Sequence, residues 1–581
     1  MSKSVWGVKK TGGLSDTILA LSKYVLILLS IALIVRCIRS MLSEHYEPEV
    51  WGYLRHGNDN FPLTHWENLI GRALNADVRL VDPGVSRVHA VLRRGSRGTW
   101  RVYDIFSKGG VWIGQAKAGP GGLAVADGDV INVGGQRLRF RAVTPEKWEK
   151  LESKRTSAGR RVSPAVTLLE LTVFQLFLLL QHAMSAKAED LKAIALAWVA
   201  LIALEWLCYN AMRFLNRSGF EIETLAFYLT TLGMSVVASS VPGDMLKQLV
   251  LTIAAVLLFL LLGLWLRKLE RAVAARFTVA VVSLLLMGLN ILFSDAVLGA
   301  RNWLNFAGFS FQPSELVKVG FIYVGASTLD KVFRRRDLYT FILFSAFCVV
   351  SLALIGDFGT ALIFFITFLV ISYLRSGSIA TVLLAVAGAA MAGFLAVSVK
   401  PYIARRFATW GHVWEDVYGA GFQQTRAISA AAAGGLYGKG AGAGWLKGIF
   451  AANTDMVFAL IWEEQGLIIG IIMVAAMLTL AFFAVRTARQ GRSAFYSIAA
   501  CAAMSMLLVQ LSMNVFGSLD LLPFTGVTFP FVSKGGTSLL SSWMMMAFIK
   551  SADNRRDASF AVRAQLEDKD DGREDNPDDW R

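Results

Sequence analysis

The sequence predicts a polytopic α-helical membrane protein with a small all-β domain inserted near its N-terminal end, and three observations predict it. The 581 residues are 55% hydrophobic and only 17% charged, with a mean hydropathy of +0.50, which is too apolar for a set of soluble domains. Apolar stretches long enough to cross roughly 30 Å of hydrocarbon recur from about residue 165 to 551, without β-barrel alternation, so they read as helices whose backbone satisfies itself. Between residues 48 and 145 the texture changes to short β-like runs punctuated by Gly, Asp and Asn, as in "VRLVDPGVSRVHAVL" and "TWRVYDIF".

The first element is an apolar helix over 14–38, "LSDTILALSKYVLILLSIALIVRCI". No small-residue cleavage site follows it, so it reads as an anchor rather than a cleaved leader. Its flanks disagree in charge, with Lys3, Lys9 and Lys10 before it and Arg36 and Arg39 within or after it, so the positive-inside rule leaves its orientation open. The β domain follows over 46–146, then a basic linker over 147–164.

Twelve further spans are expected at 165–184, 191–211, 223–241, 247–266, 276–294, 314–331, 338–355, 358–374, 378–399, 456–485, 494–518 and 530–551. The net charge of +15 does not point to nucleic acid, because the positive runs "RKLERAVAAR", "KVFRRRD" and "RTARQGR" sit beside spans, where they act as topology signals. If the first of the twelve starts inside, behind "SKRTSAGRR", all these runs fall inside with the C-terminus. The loops 295–313, 400–455 and 519–529 then lie outside, and the long central one is the natural place for function. The four cysteines fall in or beside apolar helices without metal spacing and read as packing residues. From 552 to 581 the chain is dense in both signs of charge and is expected to be a disordered cytoplasmic tail.

Within the β domain, "IGR" (70–72), "SRVH" (86–89), "DIFSKGGVWIG" (104–114) and "VADGDVINVG" (125–134) resemble the forkhead-associated (FHA) domain over nearly its whole length. The resemblance implies a phosphothreonine pocket in which Arg72 and Ser86 grip the phosphate, with Gly71 and His89 as structural residues and His89 bracing the loop. A planar guanidinium with hydroxyl and backbone donors suits a phosphate dianion. Where the family usually has Thr-Asn-Gly this chain has Lys108, Gly109 and Gly110, so the Asn that would hold the ligand's backbone is missing and Lys108 is the substitute charge. A domain that docks its partner without phosphate is the alternative. A reader of kinase products belongs in the cytoplasm, which would leave the short N-terminus outside or the first helix lying in the interface.

Ionisable groups at the edge of hydrocarbon are costly and mark a pathway, a site or an anchor. The stretch "GARNWLNFAGFSFQPSELVK" (299–318) sets Arg301, Gln312, Glu315 and Lys318 at such an edge. With "GDFGTAL" (356–362), "WEDVYGAGFQQTRAISAAAAGGLYGKGAGAG" (414–444), "NTDMVFALIWEEQGLIIG" (453–470) and "PFVSKGGTS" (530–538), it makes five motifs in order that resemble the SEDS family (the RodA and FtsW proteins). The resemblance covers about 220–551: ten spans form the family core, the helices in 165–211 are additions, and Gly356 stands where the family has Pro.

The resemblance implies a glycosyltransferase that polymerises peptidoglycan from lipid II outside the plasma membrane with inversion, releasing polyprenyl pyrophosphate, alongside a class B penicillin-binding protein as transpeptidase. The chemistry agrees: a sugar hydroxyl acceptor needs a base, whereas a pyrophosphate needs countercharge more than protonation. One carboxylate then suffices, in contrast to inverting glycoside hydrolysis. The family's proposed catalytic Asp falls on Asp416, with the neighbouring Glu415 solvated. Asp455 is the competitor, or else orients the loop or approaches a metal. Arg301, Lys318, Arg405, Arg406 and Gln423 are candidates for the substrate or its pyrophosphate, with Glu315, Asp357 and Asp455 in support. Arg405 and Arg406 also suit a headgroup anchor, and Glu315 with Lys318 a salt bridge on one helical face.

No cofactor is specified, and a divalent cation is left open. The Gly-rich "GGLYGKGAGAG" lacks the Lys-Ser/Thr ending of a nucleotide loop. Two other function classes compete: a flippase for lipid-linked precursors, which needs polar groups through the full membrane depth, and a non-catalytic scaffold, against which the retention of Asp416 argues. Elongation, division and sporulation are not distinguished.

Overall fold

In the computed structural model the described residues are 13–43, 49–73, 76–95, 98–119, 121–144, 147, 150–151, 162–215, 217, 219–297, 300–306, 309–328, 335–376, 379–399, 401–489, 491–555 and 558–561. The first helix, α1, runs Gly13–Ser43, longer at both ends than its apolar stretch. Eleven strands, β1–β11, follow between Gly52 and Ala142. They are β1 (Gly52–His56), β2 (Asp59–Leu63), β3 (Glu67–Gly71), β4 (Val78–Arg79), β5 (Ala90–Arg94), β6 (Trp100–Asp104), β7 (Val111–Ile113), β8 (Ala116–Lys117), β9 (Leu123–Val125), β10 (Val130–Val133) and β11 (Gln136–Ala142), and they form a six-stranded sheet, ordered β2-β1-β11-β10-β7-β8, and a five-stranded sheet, ordered β4-β3-β5-β6-β9. Alternating side chains put Leu54, Ile70, Leu92, Val102, Ile131 and Leu138 between the sheets, which is how a sandwich buries one face of each strand.

The helices that follow are α2 (Pro164–Ser185), α3 (Ala188–Phe214), α4 (Glu221–Ser240), α5 (Met245–Trp265), the short α6 (Leu269–Ala274), α7 (Arg276–Phe293), α8 (Pro313–Thr328), α9 (Arg335–Leu354), α10 (Phe358–Ser376), α11 (Ile379–Val399), α12 (Pro401–Thr409), α13 (Phe422–Gly434), α14 (Val457–Gln465), α15 (Leu467–Arg489), α16 (Ala494–Ser518) and α17 (Gly536–Ser551). Among the described residues nine helices are long and apolar enough to cross a membrane, and the expected spans at 314–331, 338–355, 378–399 and 530–551 are present as α8, α9, α11 and α17. Helix α4 is wholly enclosed by its neighbours. Its small and hydroxyl-bearing residues suit that place, because Thr224 and Thr230 return their hydroxyls to the carbonyls of Phe220 and Ala226 and Gly233 admits the backbone of Phe531 and Val532.

Four expectations are corrected. The span expected over 456–485 is two helices, α14 and α15, broken at Gly466, whose φ of +92° suits glycine. A side chain there would collide with the Leu436 carbonyl, and the break lets Leu467 N–H donate to Gly435 O at 3.1 Å. The loop after α7 is an antiparallel three-stranded sheet, β12 (Asp295–Val297), β13 (Ala300–Phe306) and β14 (Phe309–Phe311). Residues 530–535 are irregular, so the last span starts only at Gly536.

The expected disordered tail is not disordered at its start: 552–555 and 558–561 are buried against the bundle. Arg555 pairs with Glu221 at 2.8 Å and Asp553 at 2.8 Å, and the Phe560 ring lies 5.3 Å from Phe259. Residues 562–581, most of the linker 147–164, and Lys3, Lys9 and Lys10 lie outside the described residues.

The β domain is docked on the end of the bundle where α15 turns into α16. Trp66 N–H donates to Arg492 O at 2.7 Å, Arg492 pairs with Glu49 at 3.2 Å, and the Glu67 carboxylate accepts from Ser493 Oγ and Ala494 N at 3.4 and 3.3 Å. Residues 519–535 lie at the opposite end of the 25-residue α16, and the segment 401–456 is held beside them through Arg406 and Asn514. All four cysteines are free, three buried and Cys501 half-buried, as packing residues would be.

Candidate functional site

The loop between α11 and α14 is ordered and carries two short helices. Asp416 sits in the turn that leads into α13, exposed to solvent, and its Oδ2 accepts from Ala420 N–H at 2.8 Å. The backbone carbonyl of Asp416 accepts from Gly419 and Gly421, closing the turn. Gly419 and Gly421 are required by contact, since a Cβ at the first would overlap the Asp416 carboxylate and at the second the Val413 carbonyl. Among the described residues no cation stands within 4 Å of the Asp416 carboxylate, so it is held in place without being neutralised. Glu415 is exposed beside it, as expected.

The neighbouring candidates form two groups. In the first, Arg406 on α12 donates to Phe524 O at 3.1 Å and exerts its positive field on Asp455. Burial nevertheless raises the Asp455 carboxyl to about 6, with Thr454 and Arg406 opposing the rise. Asn514 on α16 holds this region together by donating to the Asp455 and Val527 carbonyls at 3.0 and 2.8 Å. Arg405 is exposed one residue away from Arg406, and Gln423 donates to Phe450 O at 3.1 Å.

The second group is buried. Lys318 Nζ donates to Glu315 Oε1 at 2.7 Å on α8, and Ser541 Oγ donates to the other carboxylate oxygen at 2.8 Å. Asp357, at the N-terminus of α10, accepts from Thr360 N at 2.9 Å and Asn302 Nδ2 at 2.8 Å, and feels both Lys318 and Glu315. Lys318 is therefore part of an internal salt bridge, the bland reading of its spacing. Arg301 lies on β13, and its side chain is outside the described residues. Among the described residues no group of three or more His, Cys, Asp or Glu is placed to hold a metal ion.

Sequence reasoning missed Glu463 and Glu464 on α14. The Gly-rich segment wraps them: Glu463 accepts from Trp445 N, Leu446 N and Lys439 Nζ at 3.0, 2.9 and 2.7 Å, and Glu464 from Gly442 N and Ser239 Oγ at 3.0 and 2.6 Å. Gly438, Gly440 and Gly442 all have positive φ, which folds the segment so that Gly440 N meets the Glu464 backbone carbonyl while Gly442, Trp445 and Leu446 N–H groups form a cradle for the two carboxylates. The protein's own carboxylates fill that cradle, which explains why the segment looks like a phosphate loop without being one. The "WEE" within the fourth motif was the available signal.

At the opposite end, the β-domain pocket is built around buried His89. Its Nδ1 accepts from Ser86 N at 3.0 Å, which leaves Nε2–H to donate to Gly110 O at 3.1 Å, so the ring fixes both loops in one tautomer. Ser86 Oγ accepts from Lys108 N at 3.3 Å, Arg72 N donates to Ser86 O at 3.0 Å, and the Arg72 and Lys108 side chains are exposed. Gly71 is packed so that a Cβ would overlap Arg87 O, and a Cβ at Gly109 would come within 2.8 Å of Gly134 Cα. The position of the missing Asn is thus closed by backbone.

The FtsW/RodA/SpoVE cell cycle protein model matches residues 222–558, more than half of the chain, and the FHA domain model matches 68–134. The chain is 31% identical over 262 residues to stage V sporulation protein E of Bacillus subtilis, covering 43% of this chain and 69% of that protein. It is 30% identical over 268 residues to peptidoglycan glycosyltransferase RodA of Mycobacterium bovis, covering 43% of this chain and 57% of that one. It therefore spans little more than half the length of this RodA. Among solved structures, one from a study of structural coordination of polymerization and crosslinking by a peptidoglycan synthase complex matches with 26% identity and a TM-score of 0.48, over 57% of this chain and 96% of that chain. The ordered motifs, the helical bundle and the extent of the family match agree: this multi-pass membrane protein belongs to the FtsW/RodA/SpoVE cell cycle protein family, with an FHA domain set between its first two membrane helices.

Proposed function

We propose that the protein is a peptidoglycan glycosyltransferase that polymerises lipid II, with Asp416 as its base. The observation that carries this reading is the state of Asp416: solvent-facing, fixed by Ala420 N–H, and free of an ion pair among the described residues. Such a carboxylate can take the proton of a sugar hydroxyl as that oxygen bonds to the donor's anomeric carbon. The bond from that carbon to the pyrophosphate oxygen breaks on the opposite face, and polyprenyl pyrophosphate leaves as an anion. Arg405 and Arg406, on the amphipathic α12 at the membrane edge, supply countercharge, and Arg301 on β13 is a third source. Gln423 and Asp357 shape the site, and Lys318 acts through the buried pair with Glu315 rather than on the substrate.

The basic runs of the sequence support a topology with the FHA domain and the C-terminal end in the cytoplasm and the Asp416 loop outside the cell membrane. Arg72, Ser86 and Lys108 then read a phosphothreonine on a cytoplasmic protein, and a class B penicillin-binding protein cross-links the product outside. The relatives named for this activity support the reading. The test is polymerisation of lipid II by the purified full-length protein, with and without a class B penicillin-binding protein; no glycan product under either condition refutes it.

A further inference from the structure

Helices α1 and α2 lie outside the family match, bracket the FHA domain in sequence, and pack against each other. Both reach the Gly-rich segment that encloses Glu463 and Glu464. Lys23, a lysine inside an apolar helix, donates to Gly438 O at 2.7 Å; Leu19 of the same face meets Gly440, and the Tyr24 ring lies 5.2 Å from Tyr437. From α2, buried Gln181 Oε1 accepts Ala441 N–H at 3.1 Å, while its Nε2 donates to Ser22 Oγ at 2.9 Å. An ionisable group in a span is retained for a specific partner, and here the partner is a loop carbonyl at the far end of the bundle from the FHA domain.

The other ends of the same two helices are fixed beside that domain. Arg36 pairs with Glu170 at 3.1 Å, Ser40 donates to Glu221 at 2.6 Å, and Arg486 holds the Met41 carbonyl at 2.8 Å. A few residues later the FHA domain is pinned to Arg492 through Glu49 and Trp66. Lys23 and Ser40 are separated by about 25 Å along one continuous helix at 1.5 Å per residue.

We propose that α1 and α2 form a tie across the membrane that orders the Gly-rich loop, with Lys23 and Gln181 as positioning residues, so that seating of the FHA domain at one end sets the order of the loop around Glu463 and Glu464 at the other. The consequence for polymerisation rests on the glycosyltransferase reading above; the tie itself does not. Coupling of this kind is a differential stability of one element that both ends bias.

The test uses full-length protein in lipid nanodiscs and two readouts. Amide hydrogen exchange over 436–446 is expected to quicken at least threefold in Lys23→Met and in Gln181→Leu, with Lys23→Arg close to wild type. Undocking the FHA domain by Arg492→Met, or by Glu67→Gln if the first does not fold, is expected to quicken exchange over the same remote segment. Lipid II polymerisation is expected to fall about tenfold in Lys23→Met and to recover in Lys23→Arg. Unchanged exchange over 436–446 in Lys23→Met combined with Gln181→Leu, or after undocking confirmed by faster exchange over 491–496, overturns the tie. A wild-type protein that makes no glycan refutes the functional reading instead, and leaves exchange to decide the tie.

Discussion

Lys318 and Glu315 stand one helical turn apart on α8 with Nζ and Oε1 at 2.7 Å, both side chains buried and Ser541 completing the carboxylate's partners. The relationship makes Lys318 a member of the protein's interior. Removing one partner leaves the other as an uncompensated buried charge, at a cost of about 3–5 kcal/mol. Lys318→Met is therefore expected to lower the unfolding midpoint in detergent sharply. The double variant Lys318→Met with Glu315→Gln is expected to lose less than the sum of the two single changes, the coupling a double-mutant cycle reads. Additive losses would separate the two residues.

Asp455 gives a prediction about pH. Its carboxyl is raised by burial to about 6, against about 3.8 for an ordinary aspartate, so between those values the unfolded chain has released a proton the folded protein still holds. Stability then falls as pH rises through that window, with the full penalty above about 6. Because the side chain is only partly enclosed, the expected loss is about 1–3 kcal/mol. Asp455→Asn is expected to flatten the stability profile between pH 4 and 6, measured by detergent unfolding. An identical slope in wild type and variant would assign it to other groups.

In the FHA domain, Arg72→Ala and Ser86→Ala are each expected to weaken phosphothreonine-peptide binding to the intact protein by about tenfold or more, since charge-assisted hydrogen bonds to a phosphate dianion are lost. Gly109→Asn, which restores the family's usual residue, is expected to lower the domain's stability and not to tighten binding, because its Cβ meets Gly134 Cα. Titration of a phosphopeptide library by calorimetry checks both, and equal affinity for unphosphorylated peptides would make the surface a phosphate-independent dock.

The turn at Gly438 allows a sharper test of the carboxylate cradle. With φ at +74° and a Cβ position overlapping the Glu464 carbonyl, Gly438→Ala is expected to cost several kcal/mol, where a typical exposed substitution costs under about 0.5. A wild-type melting temperature for Gly438→Ala would show that the segment adapts.

Much of this architecture was legible because membrane spans are written in composition and basic loops in charge. Asp416 and Asp455 were singled out from the motifs and Arg406 from its place in the long loop, and the Glu315–Lys318 pair followed from helical spacing. What was not legible depended on long-range approach. The break at Gly466 is set by the backbone of Leu436, about thirty residues away along a chain that reads as one continuous apolar run. The part played by Glu463 and Glu464 depends on the Gly-rich segment that folds around them. The burial of Asp553 and Arg555 could not be read from local charge density, because Glu221, the second carboxylate on Arg555, lies more than 300 residues earlier. Arg36 and Arg39 gave no orientation for α1 by counting, whereas Lys23 bonding Gly438 assigns its first half to the end of the bundle that holds the Asp416 loop.

The most direct measurement is lipid II polymerisation by purified, full-length Asp416→Asn protein beside wild type, with detergent melting as the control for folding. The amide keeps the acceptor for Ala420 N–H and removes the proton acceptor, so the melting temperature is expected to hold while the rate falls by about 10²–10⁴-fold. A well-folded Asp416→Asn protein that polymerises lipid II at close to the wild-type rate would contradict the assignment of Asp416 as the base.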